Sequence, residues 1–350
     1  MSNHLSRAFP LLASRLPYLS LADLPTPVSV RALPIGLKHR EITIKHDDVT
    51  AEDYGGNKLR KLEYLLQQAS TKRADRIATF GTVGSHHAIA TALYAKRAGF
   101  DCTCFLSHQS MQPGLGDALR FHLQNETEIL RFGGDRKKRV ATLRKHLQGR
   151  NAWVVPLGGS SWLGTVGYVN AALELAAQIE AGELACPARL YVALGTMGTT
   201  AVLALGFALA GIDTEIQAIS ITLEQYANEA ALDRLMIKTA TLMHAIDPAI
   251  PADLASRTNV RFRGEFLGDG YGRTNDVVER AIARAKDELD LSLECTYSGK
   301  AMAALLHDLD QGTDDHILFW NTYSSRPMMV DHSIEPDFER VPKEFRRYFD

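Results

Sequence analysis

The sequence predicts an α/β protein built on open parallel sheets with helices on both faces. Short apolar runs of strand type alternate with helical patterns of ten or more residues, the pattern of strand–helix–strand units. Small polar turns follow five successive strands, and in such sheets these turns converge on the crevice at the strands' carboxyl ends. The length, 350 residues at 45% hydrophobic, suggests roughly two to three core-sized units of about 100–200 residues each.

In chain order, residues 1 to 40 carry Pro10, Pro17, Pro25, Pro27 and Pro34 and read as an arm with short elements. Polar residues alternate with Ile42 and Ile44 over Glu41–His46, a strand signal. A helix follows the Gly55-Gly56-Asn57 turn. Strands are then expected at Arg76–Phe80, Asp101–Leu106, Glu128–Phe132 and Trp153–Pro156, with helices at Ser85–Ala98, Gly116–Gln124 and Arg136–Leu147. Beyond them come a helix at Trp162–Glu180, a strand at Arg189–Leu194, a helix at Thr199–Ala210 and a strand at Glu215–Ile221. The chain closes with helix Glu224–His244, strand Val260–Arg263, helices Asp276–Glu288 and Ser298–Leu309, and a buried strand at Ile317–Trp320. The basic run Arg136–Arg139 reads as a solvated helix face.

A formal charge of -2 gives no argument for a nucleic acid or membrane partner. Cys102, Cys104, Cys186 and Cys295 are scattered, without a CxxC pair or a histidine at metal spacing, so no metal site is expected. Cys102 and Cys104 are expected on one side of a strand as small core residues. A reduced, cytoplasmic setting fits this usage best. Arg7 and Arg15 interrupt the N-terminal apolar stretch, which argues against a signal peptide. The longest apolar run, Ala201 to Ile212, is too short to span a bilayer.

The most informative stretch is Gly55-Gly56-Asn57-Lys58-Leu59-Arg60-Lys61-Leu62-Glu63-Tyr64-Leu65-Leu66. The glycines permit a positive-φ turn and Asn57 is a good N-cap type. Leu59, Leu62, Leu66 and Ala69 form an apolar stripe, with Arg60, Lys61 and Glu63 off it. That places Lys58 in the first helical turn, where the helix field disfavours a cation. A neutral amine there is suited to Schiff-base chemistry. Taken alone, the stretch reads equally well as a surface lysine after an ordinary turn.

Other turns repeat the theme. Leu194-Gly195-Thr196-Met197-Gly198-Thr199-Thr200 leaves free N–H groups at a helix start, suited to a single phosphate, or to nothing more than a βα turn. In Phe80-Gly81-Thr82-Val83-Gly84-Ser85-His86-His87, Ser85 would cap the next helix, and free N–H groups could hold a carboxylate. His86 and His87 point about 100° apart on a helix and make a poor metal pair. Gly158–Gly164, Glu294–Lys300 and Phe319–Ser325 complete the set.

Together these residues resemble the aminocyclopropane-carboxylate deaminase / D-cysteine desulfhydrase family, pyridoxal-phosphate enzymes of the tryptophan-synthase-β-like fold type II. The resemblance runs from about Leu24 to Thr322. GGNKLRKLEYLL is its most specific motif, and PLGGSSWLGTVGYVNAALEL, LGTMGTT and TYSGKAMAALL follow in the family's order. It implies a large discontinuous domain (1–64 and 161–350), a small α/β domain (65–160), and a homodimer. Lys58 would join the cofactor as a Schiff base and act as base. Asn57, His86 and Thr322 would contact the cofactor, with Thr322 near the pyridine nitrogen, and Gly195, Thr196, Met197, Gly198 and Thr199 would cradle its phosphate. Ser85 would meet the substrate carboxylate and Tyr297 would stack near the reacting carbon. His86, His87, Ser160 and Ser298 complete the expected substrate side.

Within the family, Tyr297-Ser298 and Thr322 look like the desulfhydrase branch, since Ser298 cannot play the carboxylate part expected in opening a cyclopropane ring. The implied reaction is β-elimination from a small, D-cysteine-like amino acid, giving pyruvate, ammonia and sulfide. The alternatives are aminocyclopropane-carboxylate ring opening to 2-oxobutanoate, and a non-catalytic paralogue. His86 stands where the family has Asn, Gly84 where it has Gln, and Tyr323-Ser324 where it has Gly-Gly.

Overall fold

The computed structural model describes residues 4–36, 38–313 and 316–349. Among these residues, ten strands form two sheets. Six of them, β1 (Val28–Ile35), β2 (Lys38–His46), β7 (Arg189–Leu194), β8 (Glu215–Ser220), β9 (Val260–Arg263) and β10 (Ile317–Asn321), pair in the order β1-β2-β10-β7-β8-β9. Only β1 runs antiparallel to its neighbour. The other sheet is all parallel, β5-β4-β3-β6, from β3 (Arg76–Thr82), β4 (Asp101–Ser107), β5 (Glu128–Arg131) and β6 (Ala152–Val154). The expected parallel α/β architecture is present.

Three local differences have physical reasons. The arm holds a full strand, β1, because Pro34 is tolerated on a sheet edge. The helix expected over Trp162–Glu180 breaks into Trp162–Thr165 and Gly167–Glu180. Gly167 lies so close to the helix carrying Lys58 that an added Cβ would sit 1.9 Å from the Arg60 carbonyl oxygen. The helix expected from Glu224 starts at Glu229, where the Asn228 side chain caps Ala231 N–H at 2.9 Å. Cys102 and Cys104 are buried on one side of β4, with Sγ atoms in a weak hydrogen bond at 4.0 Å and no disulfide. Helix Arg136–Leu147 buries none of its residues, so its basic run is a solvated face.

The helix Lys58–Thr71 departs furthest from its sequence pattern. Arg60, Lys61 and Glu63, off the apolar stripe, are buried as deeply as the leucines. The reason is position. Tyr64 packs into the core of the six-stranded sheet, while Leu59, Leu62, Leu65 and Leu66 pack into that of the four-stranded sheet. A helix between two cores has no solvent face, and each buried polar group must find a partner. Arg60 finds Asp47 at 2.8 Å and Glu174 at 3.0 Å. The Val341–Tyr348 segment returns to the core of the four-stranded sheet.

Glu63 accepts the N–H groups of Leu21 and Ala22, each at 3.0 Å. Burial raises its carboxyl to about 7 against those bonds and Arg60. The folded protein therefore holds a proton that the unfolded chain releases near 4.5, and stability falls as pH rises from 4.5 to about 7. Glu63→Gln keeps an acceptor oxygen and removes the charge. It should be near neutral at pH 4 and stabilising by about 3 kcal/mol at pH 8. Urea unfolding at both pH values checks this; an equal effect at both would refute it.

Candidate active site

The turns after β3, β7 and β10 meet at the carboxyl ends of both sheets, around the start of the Lys58 helix. The Gly55-Gly56-Asn57 turn is held by its backbone. Gly55 N donates to Ser324 Oγ at 3.0 Å, Gly56 N to Asp47 O at 2.7 Å, and Asn57 N to Thr322 O at 3.1 Å. Gly56 adopts φ +93, and an added Cβ would stand 3.1 Å from the Thr322 carbonyl. Asn57 occupies the N-cap position but its side chain does not cap the helix. Instead Asn57 Oδ1 accepts from Lys58 Nζ at 2.6 Å, and its Nδ2 donates to Thr199 Oγ1 at 3.2 Å. One asparagine thus ties the lysine turn to the Gly-Thr turn.

Lys58 Nζ lies 5.8 Å from the centre of the Tyr297 ring. Burial lowers its amine from 10.5 to about 8, with Glu294 pulling weakly the other way. In cofactor-free protein the rate of reaction with pyridoxal phosphate should rise with pH and level off above about 8. Stopped-flow absorbance checks this; a rate still climbing at pH 10 would mean an ordinary lysine.

The second turn is shaped for an anion. Helix Gly198–Ala210 starts one residue earlier than expected, after Met197 at φ 64. Gly198 N–H turns back to the Thr196 carbonyl at 2.8 Å. Among the described residues, nothing accepts from the N–H groups of Thr196, Met197, Thr199 and Thr200. Thr200 Oγ1 is buried without a partner. Beside them lies Lys61, whose Nζ reaches Gly158 O at 3.2 Å and Ser160 Oγ at 3.4 Å. Burial, then Lys58, pushes this amine well below the usual range, and among the described residues it has no carboxylate partner. Ser160, expected on the substrate side, bonds Thr196 Oγ1 at 2.7 Å and so belongs to this corner. Free N–H groups, an orphaned hydroxyl and a buried amine that an anion would return to its charged form together fit a phosphate.

The third turn opens on a cavity of about 710 Å³ lined by Ser85, His86, Gln109, Tyr271, Glu294 and Tyr297 among others. Ser85 caps its helix as expected, accepting from Ala88 N at 3.3 Å. The N–H groups of His86 and His87 find no acceptor among the described residues. The His87 ring faces away from the cavity, bonded to Thr79 Oγ1 at 2.9 Å. Ser298, also expected on the substrate side, is buried and bonded to Glu294. Thr322 lines the lysine pocket.

Sequence reasoning missed four groups: Lys61, Tyr54, Tyr271 and Glu294. Glu294 accepts the N–H groups of Thr296, Tyr297 and Ser298 at 2.7, 2.8 and 2.8 Å, capping helix Ser298–Asp310 and fixing Tyr297. Tyr297 OH in turn bonds Tyr271 OH at 2.9 Å. A glutamate four residues ahead of the helix start was the available signal, but it falls outside the usual capping-box spacing.

A lysine between two sheets, beside a phosphate-shaped corner and next to an open cavity, defines a pyridoxal-phosphate site. The family model described as "Pyridoxal-phosphate dependent enzyme" matches residues 19–322, and the chain belongs to that family. More narrowly, D-cysteine desulfhydrase of Salmonella schwarzengrund (strain CVM19633) is 31% identical over 337 residues, covering 91% of this chain and 97% of the relative. D-cysteine desulfhydrase of Salmonella newport (strain SL254) is equally similar. Among solved structures, an ACC deaminase homologue superposes with a TM-score of 0.73 at 26% identity, over 93% of this chain and 96% of its own. A threonine deaminase of T.th. shares the fold, with a TM-score of 0.59 at 17% identity, over 95% of this chain and 99% of its own. The fold is that of the fold type II pyridoxal-phosphate enzymes, and the cofactor is pyridoxal 5'-phosphate.

Proposed function

We propose that this chain is a lyase that eliminates the β-substituent of a small, D-cysteine-like amino acid, yielding pyruvate, ammonia and sulfide. The observation that carries this reading is the half-buried Lys58 amine, lowered to about 8 and lining a pocket that shares His86, Glu294 and Tyr297 with the substrate cavity. The similarity to D-cysteine desulfhydrases over 91% of the chain supports the substrate. When bound, the cofactor's conjugated ring takes up the electron pair released at the α-carbon.

The chain's own residues do the rest. Lys61, the free N–H groups from Thr196 to Thr200 and the hydroxyls of Thr196, Thr199 and Thr200 hold the phosphate. Ser85 and the N–H groups of His86 and His87 hold the substrate carboxylate at the start of their helix. Lys58 Nζ removes the α-proton, and its lowered pKa leaves a useful fraction as free amine near neutral pH. Tyr297, fixed by Glu294 and Tyr271, would pack beside the reacting carbon. Thr322, which lines the lysine pocket, would face the ring nitrogen and offer it no charge.

Ring opening of aminocyclopropane-carboxylate is the second reading, favoured by the ACC deaminase homologue. It is disfavoured because Ser298 offers no carboxylate and Glu294 is engaged by three backbone N–H groups. Cysteines free of disulfides support a cytoplasmic setting, and the family resemblance supports a homodimer. Adding D-cysteine to the cofactor-loaded protein should release sulfide and pyruvate in equal amounts. Release of 2-oxobutanoate from the cyclopropane substrate instead would favour the second reading, and no turnover of any amino acid would leave a binding protein.

A further inference from the structure

Residues 323–349 form a strap between the two sheets, and they lie beyond the 19–322 span of the family match. The strap leaves the lysine pocket at Tyr323, lines the substrate cavity with Met328 and crosses to the four-stranded sheet. There Val341, Phe345 and Tyr348 are buried in the core, and a Cβ added to Gly116 would stand 2.7 Å from the Tyr348 carbonyl oxygen. The seated Tyr348 holds one residue of the cavity wall by both backbone groups. Its hydroxyl accepts from Gln109 N at 3.2 Å and donates to Gln109 O at 2.9 Å. The Gln109 side chain carries the tie onward, Oε1 accepting from Gly84 N at 3.0 Å. The same amide takes the space beside Gly84, where an added Cβ would lie 3.1 Å from Nε2. Val83 N donates to Ser107 O at 3.1 Å and Ser85 N to Thr82 O at 3.0 Å, so the Gln109 bond completes the support of three successive N–H groups. The next two, those of His86 and His87, are the ones left free among the described residues. A turn containing Gly81 and Gly84 has wide backbone freedom, and a misaimed N–H group bonds poorly. Whatever fixes the Gly84 peptide therefore fixes the aim of the free pair.

We propose that the strap belongs to the substrate site: Tyr348, acting through Gln109, fixes the turn that holds the substrate carboxylate. This rests on the reading above, in which Ser85 and the N–H groups of His86 and His87 take that carboxylate. Both Tyr348 and Gln109 are positioning residues. The carboxylate is held alike before and during the chemical step, so their loss weakens substrate binding and leaves the chemical step nearly untouched.

The test titrates the cofactor-loaded protein with each enantiomer of alanine, which has no leaving group, and with ethylamine, which lacks only the carboxylate. The shift of the cofactor's absorption band gives both dissociation constants, and their ratio isolates the carboxylate. Wild type should bind one enantiomer of alanine far more tightly than ethylamine. Tyr348→Phe and Gln109→Met should each weaken alanine about 10-fold and leave ethylamine unchanged, the size expected for loosening one hydrogen bond to a charged group. The double variant should lose no more than the worse single one, because the two residues act in series. Glu344→Gln, on the same strap but paired with Arg131 at the surface, should change neither constant. In turnover of D-cysteine, Gln109→Met should raise KM about 10-fold with kcat nearly unchanged. Thermal scans check folding, and the half-buried Gln109 carries the test alone if Tyr348→Phe does not fold. Alanine binding that survives Gln109→Met, equal losses for alanine and ethylamine, or additive losses in the double variant would each overturn the strap's role and leave the elimination reading intact. A wild type that binds alanine no better than ethylamine would sink the carboxylate turn and the strap together.

Discussion

Lys58→Ala is expected to abolish turnover, lowering it by at least about 10⁴-fold, and to remove the covalent cofactor band from the visible spectrum. Both effects share one cause. Among the described residues Lys58 supplies the one amine of the pocket that adjoins the substrate cavity, since Lys61 is turned to Gly158 and Ser160. The phosphate corner does not depend on Lys58, so the variant should still bind pyridoxal phosphate non-covalently and more weakly. The fold should survive, because the Asn57 bond that Lys58 loses is replaced by one to water at a half-open site. Absorbance, equilibrium dialysis and a thermal scan separate these outcomes. A variant that keeps the band, or keeps more than about one-hundredth of the activity, would move the chemistry to another residue.

Much of this site was legible before the structure because its chemistry needs particular residues at particular turns. Gly56 cannot carry a side chain against Thr322, and the Gly-Thr turn opens a helix, so both left a mark in the sequence. Ser85 is a cap by type as well as by position. What stayed hidden depends on long-range packing. Lys61 looked like a solvent-facing charge because periodicity counts apolar residues, and nothing in the local pattern says that a second core covers the far side of its helix. Ser160 and Ser298 are small polar residues whose partners, Thr196 and Glu294, are set by how turns meet. Asn57 has an N-cap residue's chemistry, but it has a better partner in Lys58 than in its own helix. The departures His86 and Tyr323 read as irregularities in sequence; in space they pack against each other and against Tyr54.

Glu174→Ala should be the most destabilising single change away from the pocket, costing about 3–5 kcal/mol. The Glu174 carboxylate is wholly buried between two cations, with Lys45 Nζ at 2.6 Å and Arg60 Nη2 at 3.0 Å, and it also accepts Thr26 N at 2.9 Å. Removing it leaves two buried charges short of a partner, with Asp47 the remaining anion, already shared between Arg60 and Tyr168. Burial opposes its ionisation, but Arg60 and Lys45 outweigh that and bring the carboxyl from 4.5 to about 2. The folded state thus binds fewer protons than the unfolded chain between these values. The stabilisation is fully present above about pH 4.5 and is lost as pH falls towards 2. The gap between wild type and Glu174→Ala should therefore be widest near pH 7, about 5 °C in Tm, and should narrow below pH 4. Arg60 sits two residues after Lys58 on the helix whose start positions the amine, so the variant should also hold pyridoxal phosphate less tightly at neutral pH. A loss below about 1 kcal/mol, or a gap that does not narrow in acid, would show that the ion cluster is not what seats this helix between the two sheets.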